Sequence, residues 1–205
     1  MKFDTLASKE SVERVIEALK ERNVEAVSVE TAAEAMEKIK AYIPESASVM
    51  NGSSATLEQI GFIVYLKSGT HGWNNLHEAI VMEKDAQKQA VLRKQALLSE
   101  FYLGSVHALA ETGEFVIGSN SASQLPHVVY SSQNLIFVVS TKKIVLNLAD
   151  ALRRLEEYVV PLEDARMKKA NGMGTKLSKE LIFRYEPPFN KRTVRMILVN
   201  EDLGF

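Results

Sequence analysis

SVERVIEALKERNVEAVSVETAAEAMEKIKAYIPESASVM, residues 11–50, is the stretch whose reading decides the fold. Ser11 is placed to cap a helix in which Val12, Val15, Ile16 and Leu19 recur at helical spacing, ending near Asn23. Residues 24–29 form a short β-branched run. Thr31 followed three residues later by Glu34 is a capping-box signature, and Ala35, Met36 and Ile39 give the helix it opens an apolar face. Pro44 stops that helix, because proline has no amide hydrogen to continue the ladder. Residues 48–50 then read as a second strand. Helix, strand, helix, strand at this spacing predicts parallel strands covered by helices.

Working outward, NGSSATLEQIG (51–61) follows a strand directly and opens a short helix holding Leu57, Glu58 and Ile60. FIVYLK (62–67) reads equally as a strand or as the end of a helix, and SGTHGWNNL (68–76) as a loop. Ala86, Ala90, Val91, Ala96, Leu97 and Phe101 predict one long helix from Asp85 to Leu103. Between 104 and 145, β-prone runs at 106–110, 114–117, 127–130 and 135–139 are separated by polar turns. They predict tighter sheet with at least one antiparallel pair. Ile144, Leu148, Ala151, Leu152 and Leu155 share one face of a helix over 143–158. Pro161 interrupts it, and a second helical piece over 163–169 ends at Gly172, a C-cap glycine. LIFRYEPPFNKRTVRMILVNEDLGF (181–205) offers two strands around a Pro-Pro loop.

The 205 residues suit a single α/β domain spanning 1–205. Lys plus Arg total 25 against 26 Asp plus Glu, so the basic excess of a nucleic-acid binder is missing. No apolar run approaches membrane-spanning length, and MKFDTLASKESVERV lacks the apolar core of a signal peptide. Neither nucleic acid nor membrane is expected as a partner. Cysteine is absent, which excludes disulfides, a thiol nucleophile and a cluster or zinc site built on thiolates. A reducing, cytoplasmic location is the expectation.

Strand, Gly/Ser turn and helix start is the arrangement that presents unpaired amides to an anion, with Ser53, Ser54 and Thr56 adding hydroxyls. The plainer reading is that Ser53 or Ser54 caps the helix. The Gly-Lys-Ser/Thr ending of a Walker loop is missing. GMGTK (172–176) follows a helix rather than a strand and is set aside as a phosphate loop. His71, His77, His107 and His127 form no tight metal spacing, even with Glu78 beside His77, so no metal is expected. His107 is either a buried, hydrogen-bonded imidazole or an acid–base group beside Glu111. Glu111 is either a solvated turn residue or a carboxylate held at a strand end facing a cleft, where open α/β sheets bind ligands. Lys142 and Lys143 are either solvated residues of a helix start or, because lysine there opposes the dipole, cations whose placement an anionic partner would explain. With no G-x-S-x-G elbow and no GxGxxG fingerprint, no cofactor is expected.

GSVHALAETGE, SNSASQLP, FVVSTKKIVLNLADALRRLEEYVVPLEDAR and the terminal ILVNEDLGF, taken in order, resemble the LUD-domain (lactate-utilization) family, and most of all its short stand-alone members. NGSSATLEQIG also matches that family's Ser-x-Thr-Leu segment. The resemblance covers essentially the whole chain. It implies a three-layer α/β/α sandwich with a mixed, mainly parallel sheet, similar to the sugar-phosphate isomerase and CoA transferase-like fold. It also implies a link to oxidation of lactate, in systems that include iron–sulfur redox proteins. The positions matching the family are Ser54, Thr56, Gly61, Gly104, His107, Glu111, Gly113, Asn120, Ser123, Gln124, Lys143 and Arg166, the polar ones being site candidates, together with Leu57, Leu125 and Pro126, which are read as structural.

Two readings of function follow. In one, the chain binds a small carboxylate or phosphorylated metabolite, with Glu111 and His107 as acid–base groups. Ser53, Ser54, Thr56, Gly104, Thr112, Asn120, Ser123, Gln124 and Lys143 would then contact the ligand. In the other it is a non-catalytic subunit docking to iron–sulfur redox partners of lactate oxidation. Whether it is an enzyme stays open at this level, as does a homo-oligomer. Both the Ser53–Thr56 loop and Glu111 are expected to face one cleft.

Overall fold

Two sheets organise the chain in the computed structural model, which describes residues 3–205. The first has the order β1 (Glu25–Val29), β10 (Thr193–Val199), β7 (Asn134–Ser140), β4 (Phe101–Gly104), β2 (Ser48–Asn51), β3 (Asn74–Asn75). Every neighbouring pair in it is parallel. The second has the order β8 (Ile144–Val145), β5 (Ala108–Ala110), β6 (Phe115–Ser119), β9 (Lys179–Phe183). In it β5 runs antiparallel to β6 and β6 to β9, while β5 and β8 are parallel. The expected α/β architecture, a mainly parallel sheet with helices around it, is what the chain adopts.

Side chains alternate across a strand, and the central strands are apolar on both faces, as buried parallel strands are. On one face Ile136, Val138, Ile197 and Val199 meet α2 (Ala32–Tyr42), α3 (Ala55–Gln59) and α4 (Phe62–Ser68) through Ala35, Ile39, Leu57 and Phe62. On the other face Leu135, Phe137, Val139, Met196 and Leu198 meet α1 (Lys9–Glu21) and the inner face of the second sheet, through Val15, Leu19, Leu109, Phe115 and Ile117. The outer face of the second sheet, Ala108 and Val116, packs under a long helix through Ala151, Leu155 and Val159. That helix comprises α7 (Leu148–Arg154), a π-helical turn (Leu155–Val159) and α8 (Val160–Asn171).

Several local expectations are corrected. Ser8, not Ser11, caps α1, its hydroxyl accepting from the Ser11 amide at 3.3 Å. FIVYLK is helix, set off by left-handed Gly61 and Gly69 at its ends. The predicted helix 85–103 breaks up: beyond α5 (Leu76–Met82), α6 (Ala86–Gln95) gives way to a 3₁₀ turn (Ala96–Leu98) and then β4. Phe101, Tyr102 and Leu103 are buried on both sides of a central strand, and over so few residues an apolar run cannot distinguish such a strand from more helix. Residues 127–131 form a π-helical turn rather than a strand. Lys142 and Lys143 lie in a 3₁₀ turn (Thr141–Lys143) before β8, so the helix expected from 143 starts at Leu148, where the Asn147 side chain accepts from the Asp150 amide at 3.0 Å. Pro161 does not end that helix. The Val160 amide bonds back five residues to Leu155, and the widened turn makes room for the proline ring.

Candidate functional site

The carboxyl ends of β2, β4 and β7 open into one cleft of about 410 Å³ between the two sheets and the long helix. Chain direction creates it. After β4 the chain crosses at Ser105–His107 into the second sheet, and after β7 it turns through Thr141–Lys143 to do the same. The β2 exit supplies Gly52, Ser53, Ser54 and Thr56; the β6 exit supplies Ser119, Asn120, Ser123 and Gln124. Leu155 and Val159 from one π-helical turn, and Val128 from the other, supply apolar wall. π-Helical turns recur beside functional sites because they displace side chains that a regular helix would hold in register.

At the base lies Lys143, 3% exposed. Its Nζ donates to Thr56 Oγ1 and Ser105 Oγ, both at 3.0 Å, and to the Val106 carbonyl at 3.2 Å. Among the described residues no carboxylate pairs with it. Burial, with Arg154 and then Lys142 nearby, pulls its amine well below the ordinary lysine range. Arg154 is fully buried behind this wall and likewise has no side-chain carboxylate partner among the described residues. Its guanidinium donates to the backbone oxygens of His107, Phe205 and Phe3 and lies 5.1 Å from the Tyr158 ring centroid, while its Nε has no partner among the described residues. Burial lowers it to about 10. Lys142, by contrast, is paired with Asp202 and donates to the Gly204 carbonyl at 2.8 Å.

His107 lines the cleft with Nδ1 accepting from the Gly118 amide at 3.0 Å. Burial first, then Lys143 and Arg154, push it down to about 3, so it is a neutral imidazole whose accepting Nδ1 puts the ring proton on Nε2. Tyr102 also borders the cleft, stacked on His127 at 4.6 Å, and burial raises its phenol well above the ordinary range. Higher on the wall, Arg166 grips Glu163 through two 2.7 Å bonds and donates to Ser53 Oγ at 3.1 Å.

Of the residues singled out from sequence, Ser53, Ser54, Thr56, Gly104 and His107 line this cleft together with Asn120, Ser123, Gln124 and Lys143. Some of their polar atoms are committed within the protein. Ser54 is the cap of α3, accepting from the Leu57 amide at 3.3 Å. Gln124 accepts from Ser119 Oγ at 3.0 Å and donates to the Gly118 carbonyl at 3.3 Å. Glu111 and Thr112 are not in the cleft. Glu111 accepts from Ser11 Oγ at 2.5 Å and from Arg14 at 2.9 and 3.0 Å, and Arg14 holds it below the usual carboxylate range. The reason is strand direction. His107 and Glu111 flank opposite ends of β5, and four residues of extended chain separate them by about 13 Å. The expected pairing of Glu111 with the Ser53–Thr56 loop across one cleft does not occur.

Sequence reasoning passed over Tyr102, Ser105, Arg154 and Glu163, all but Arg154 lining the cleft, and set aside the 172–176 segment, whose Thr175 and Lys176 line it too. Arg154 had a signal, since it interrupts the apolar stripe of Ala151, Leu155 and Tyr158. Ser105 had none beyond its place between Gly104 and His107. The Ser-x-Thr-Leu loop, the Gly104–His107 crossing and Lys143, far apart in sequence, thus meet at the carboxyl end of a parallel sheet.

The geometry defines an α/β protein with a cation-lined cleft at its strand ends. The chain belongs to the LUD-domain family: the family model, described as LUD domain, matches residues 12–180. This family is associated with lactate utilization. A crystal structure of a DUF162 family protein from Deinococcus radiodurans is similar with a TM-score of 0.52 at 11% identity, covering 95% of this chain and 98% of that one; at that identity the likeness is one of fold. A search of curated proteins finds no match.

Proposed function

We propose that this LUD-domain chain binds a small carboxylate- or phosphate-bearing metabolite in the cleft at the ends of β2, β4 and β7. The observation that carries the reading is the charge of the lining. Among the described residues Lys143, Arg166 and Lys176 line it against a single side-chain carboxylate, Glu163, which Arg166 already occupies. Lys143 is the buried one, without a side-chain carboxylate partner among the described residues, and a cation so placed favours an anion beside it, because the low-dielectric surroundings strengthen the attraction. The family's association with lactate utilization makes 2-hydroxy acids the first class to test, and the fold relation implied by the sequence adds sugar phosphates and acyl-CoA. In a thermal-shift panel of these compounds, at least one anion should raise the melting temperature. The rise should shrink in Lys143→Met and as salt is added. A panel in which no anion moves the wild-type transition would sink the reading.

A second reading, a docking subunit for redox partners of lactate oxidation, draws on a different observation. Leu98, Val129 and Tyr130 are exposed apolar side chains on two neighbouring turns, and α6 beside them buries no residue. Patches of this kind mark protein-binding surfaces. Co-purification of a partner, abolished by Leu98→Asp with Tyr130→Asp, would favour it.

A further inference from the structure

We propose that Lys143 is a covalent nucleophile for a carbonyl group, so that the cleft takes a small 2-oxo acid and condenses it with the Lys143 amine into an imine. This rests on the anion-binding reading and narrows it to one substrate class. The geometry is specific to Nζ. Of its three partners, only the Val106 carbonyl must accept; the Thr56 and Ser105 hydroxyls can each donate as readily as they accept. A neutral amine therefore keeps a satisfied shell here, with its lone pair facing a hydroxyl rather than an orphaned acceptor. A lysine held by a carboxylate would lose its pair on deprotonation, and Lys143 has no such partner among the described residues. Burial, and then Arg154 behind it, itself without a side-chain carboxylate among the described residues, disfavour a second positive charge, and the depressed amine agrees with that. Desolvation beside another cation is how lysines are made nucleophilic.

The condensation needs nothing the cleft does not supply. The Nζ lone pair attacks the keto carbon, forming C–N as the carbonyl π pair moves onto oxygen. A proton passes from nitrogen to that oxygen through the Thr56 or Ser105 hydroxyl, giving the carbinolamine. The nitrogen lone pair then expels the hydroxyl, which leaves as water after taking a proton from solvent, and the protonated C=N returns a proton to solvent from nitrogen, so that amine and ketone give imine and one water. His107, neutral with its ring proton on Nε2, lines the same wall and can donate a hydrogen bond to the oxygen as charge develops on it. The exposed Lys176 lines the cleft for the carboxylate, together with Arg166, whose Nε and Nη2 are held by Glu163. A 2-oxo acid is the smallest molecule that places a carbonyl and an anion side by side.

The test uses the full chain with glyoxylate or pyruvate and cyanoborohydride, which reduces an imine to a stable secondary amine read by intact mass and peptide mapping. An exposed lysine is neutral in only about 1 part in 2,500 at pH 7, so labelling at Lys143 should exceed that at any exposed lysine by about tenfold or more. Urea-denatured protein should lose the preference. Lys143→Arg should abolish the adduct; should that variant not fold, the wild-type peptide map alone decides. Lactate, an anion without a carbonyl, serves as the parallel arm by thermal shift. A lactate shift without a Lys143 adduct overturns the nucleophile and leaves anion binding standing. Label spread over surface lysines, with no anion response, overturns both.

Discussion

His107 and His127 are both held uncharged at neutral pH, His107 at about 3 and His127 at about 4, burial being the main cause for each. His127 is 1% exposed, with Nδ1 2.9 Å from Ser132 Oγ and 3.3 Å from Ser99 Oγ. The sign of the linkage follows. Between about pH 6.5 and 4 the unfolded chain takes up protons that the folded one refuses, so stability present at neutral pH is lost on acidification. At pH 5 the loss should be about 2 kcal/mol per histidine. Glu111, Glu100, Glu114 and Asp164, whose folded values are lowered, lose their contribution only further down, so the window belongs to the histidines. Melting temperature followed from pH 7.5 to 5 should fall steeply in wild type and less steeply in His127→Gln; parallel curves would contradict this assignment. Side-chain chemistry alone identified His107 as buried or acid–base. The direction faced by Glu111 was illegible, because it depends on which end of β5 meets the cleft.

At the level of elements, one cation organises the turn that the sequence presents as a strand. Arg192, 8% exposed, donates to the carbonyls of His127, Val128, Val129 and Ser132 and to Glu186 at 3.1 Å. It collects the unpaired carbonyls that a π-helical turn leaves at its end, where negative partial charge accumulates. HVVY has the β-branched composition of a strand, and no local pattern announces an arginine sixty-odd residues away. Arg192→Met should therefore cost about 3–5 kcal/mol in urea denaturation, since it orphans a buried carboxylate as well as the carbonyls. Adding Glu186→Gln should recover part of that loss. A cost under about 1 kcal/mol for Arg192→Met would show that the turn holds its shape unaided. Pro161 carries a similar lesson: proline is read as a stop, yet the Leu155–Val159 turn lets the helix pass through it.

For the molecule as a whole, the alternation of helix and strand over residues 11–50 was enough to predict a parallel sheet, because the spacing leaves room only for crossovers. The second sheet was foreshadowed by the short runs of 104–145, though not its order, which brings β9 in from beyond the long helix. The cleft was partly legible for the same reason that strand ends are: loops leaving parallel strands in one direction share one rim. What escaped was everything set by packing at a distance, above all the two buried cations Lys143 and Arg154 meeting behind that rim.

The place of β10 in the first sheet bears on how the protein is made. This strand is the last in sequence, yet it lies between β1 and β7, pairing with both along its length. During synthesis β1, β2, β4 and β7 emerge first, with a gap where β10 belongs and apolar edges on either side of it. The ribosome-bound chain must hold those edges apart until residues 193–199 leave the exit tunnel, and folding is then completed by insertion rather than by extension. Such late, non-local closure is slow and exposes aggregation-prone edges meanwhile. Nascent chains arrested before residue 193 should be protease-sensitive throughout the first sheet. Protection should appear in a single step once β10 is free; protection that builds gradually from β1 onward would refute this order of assembly.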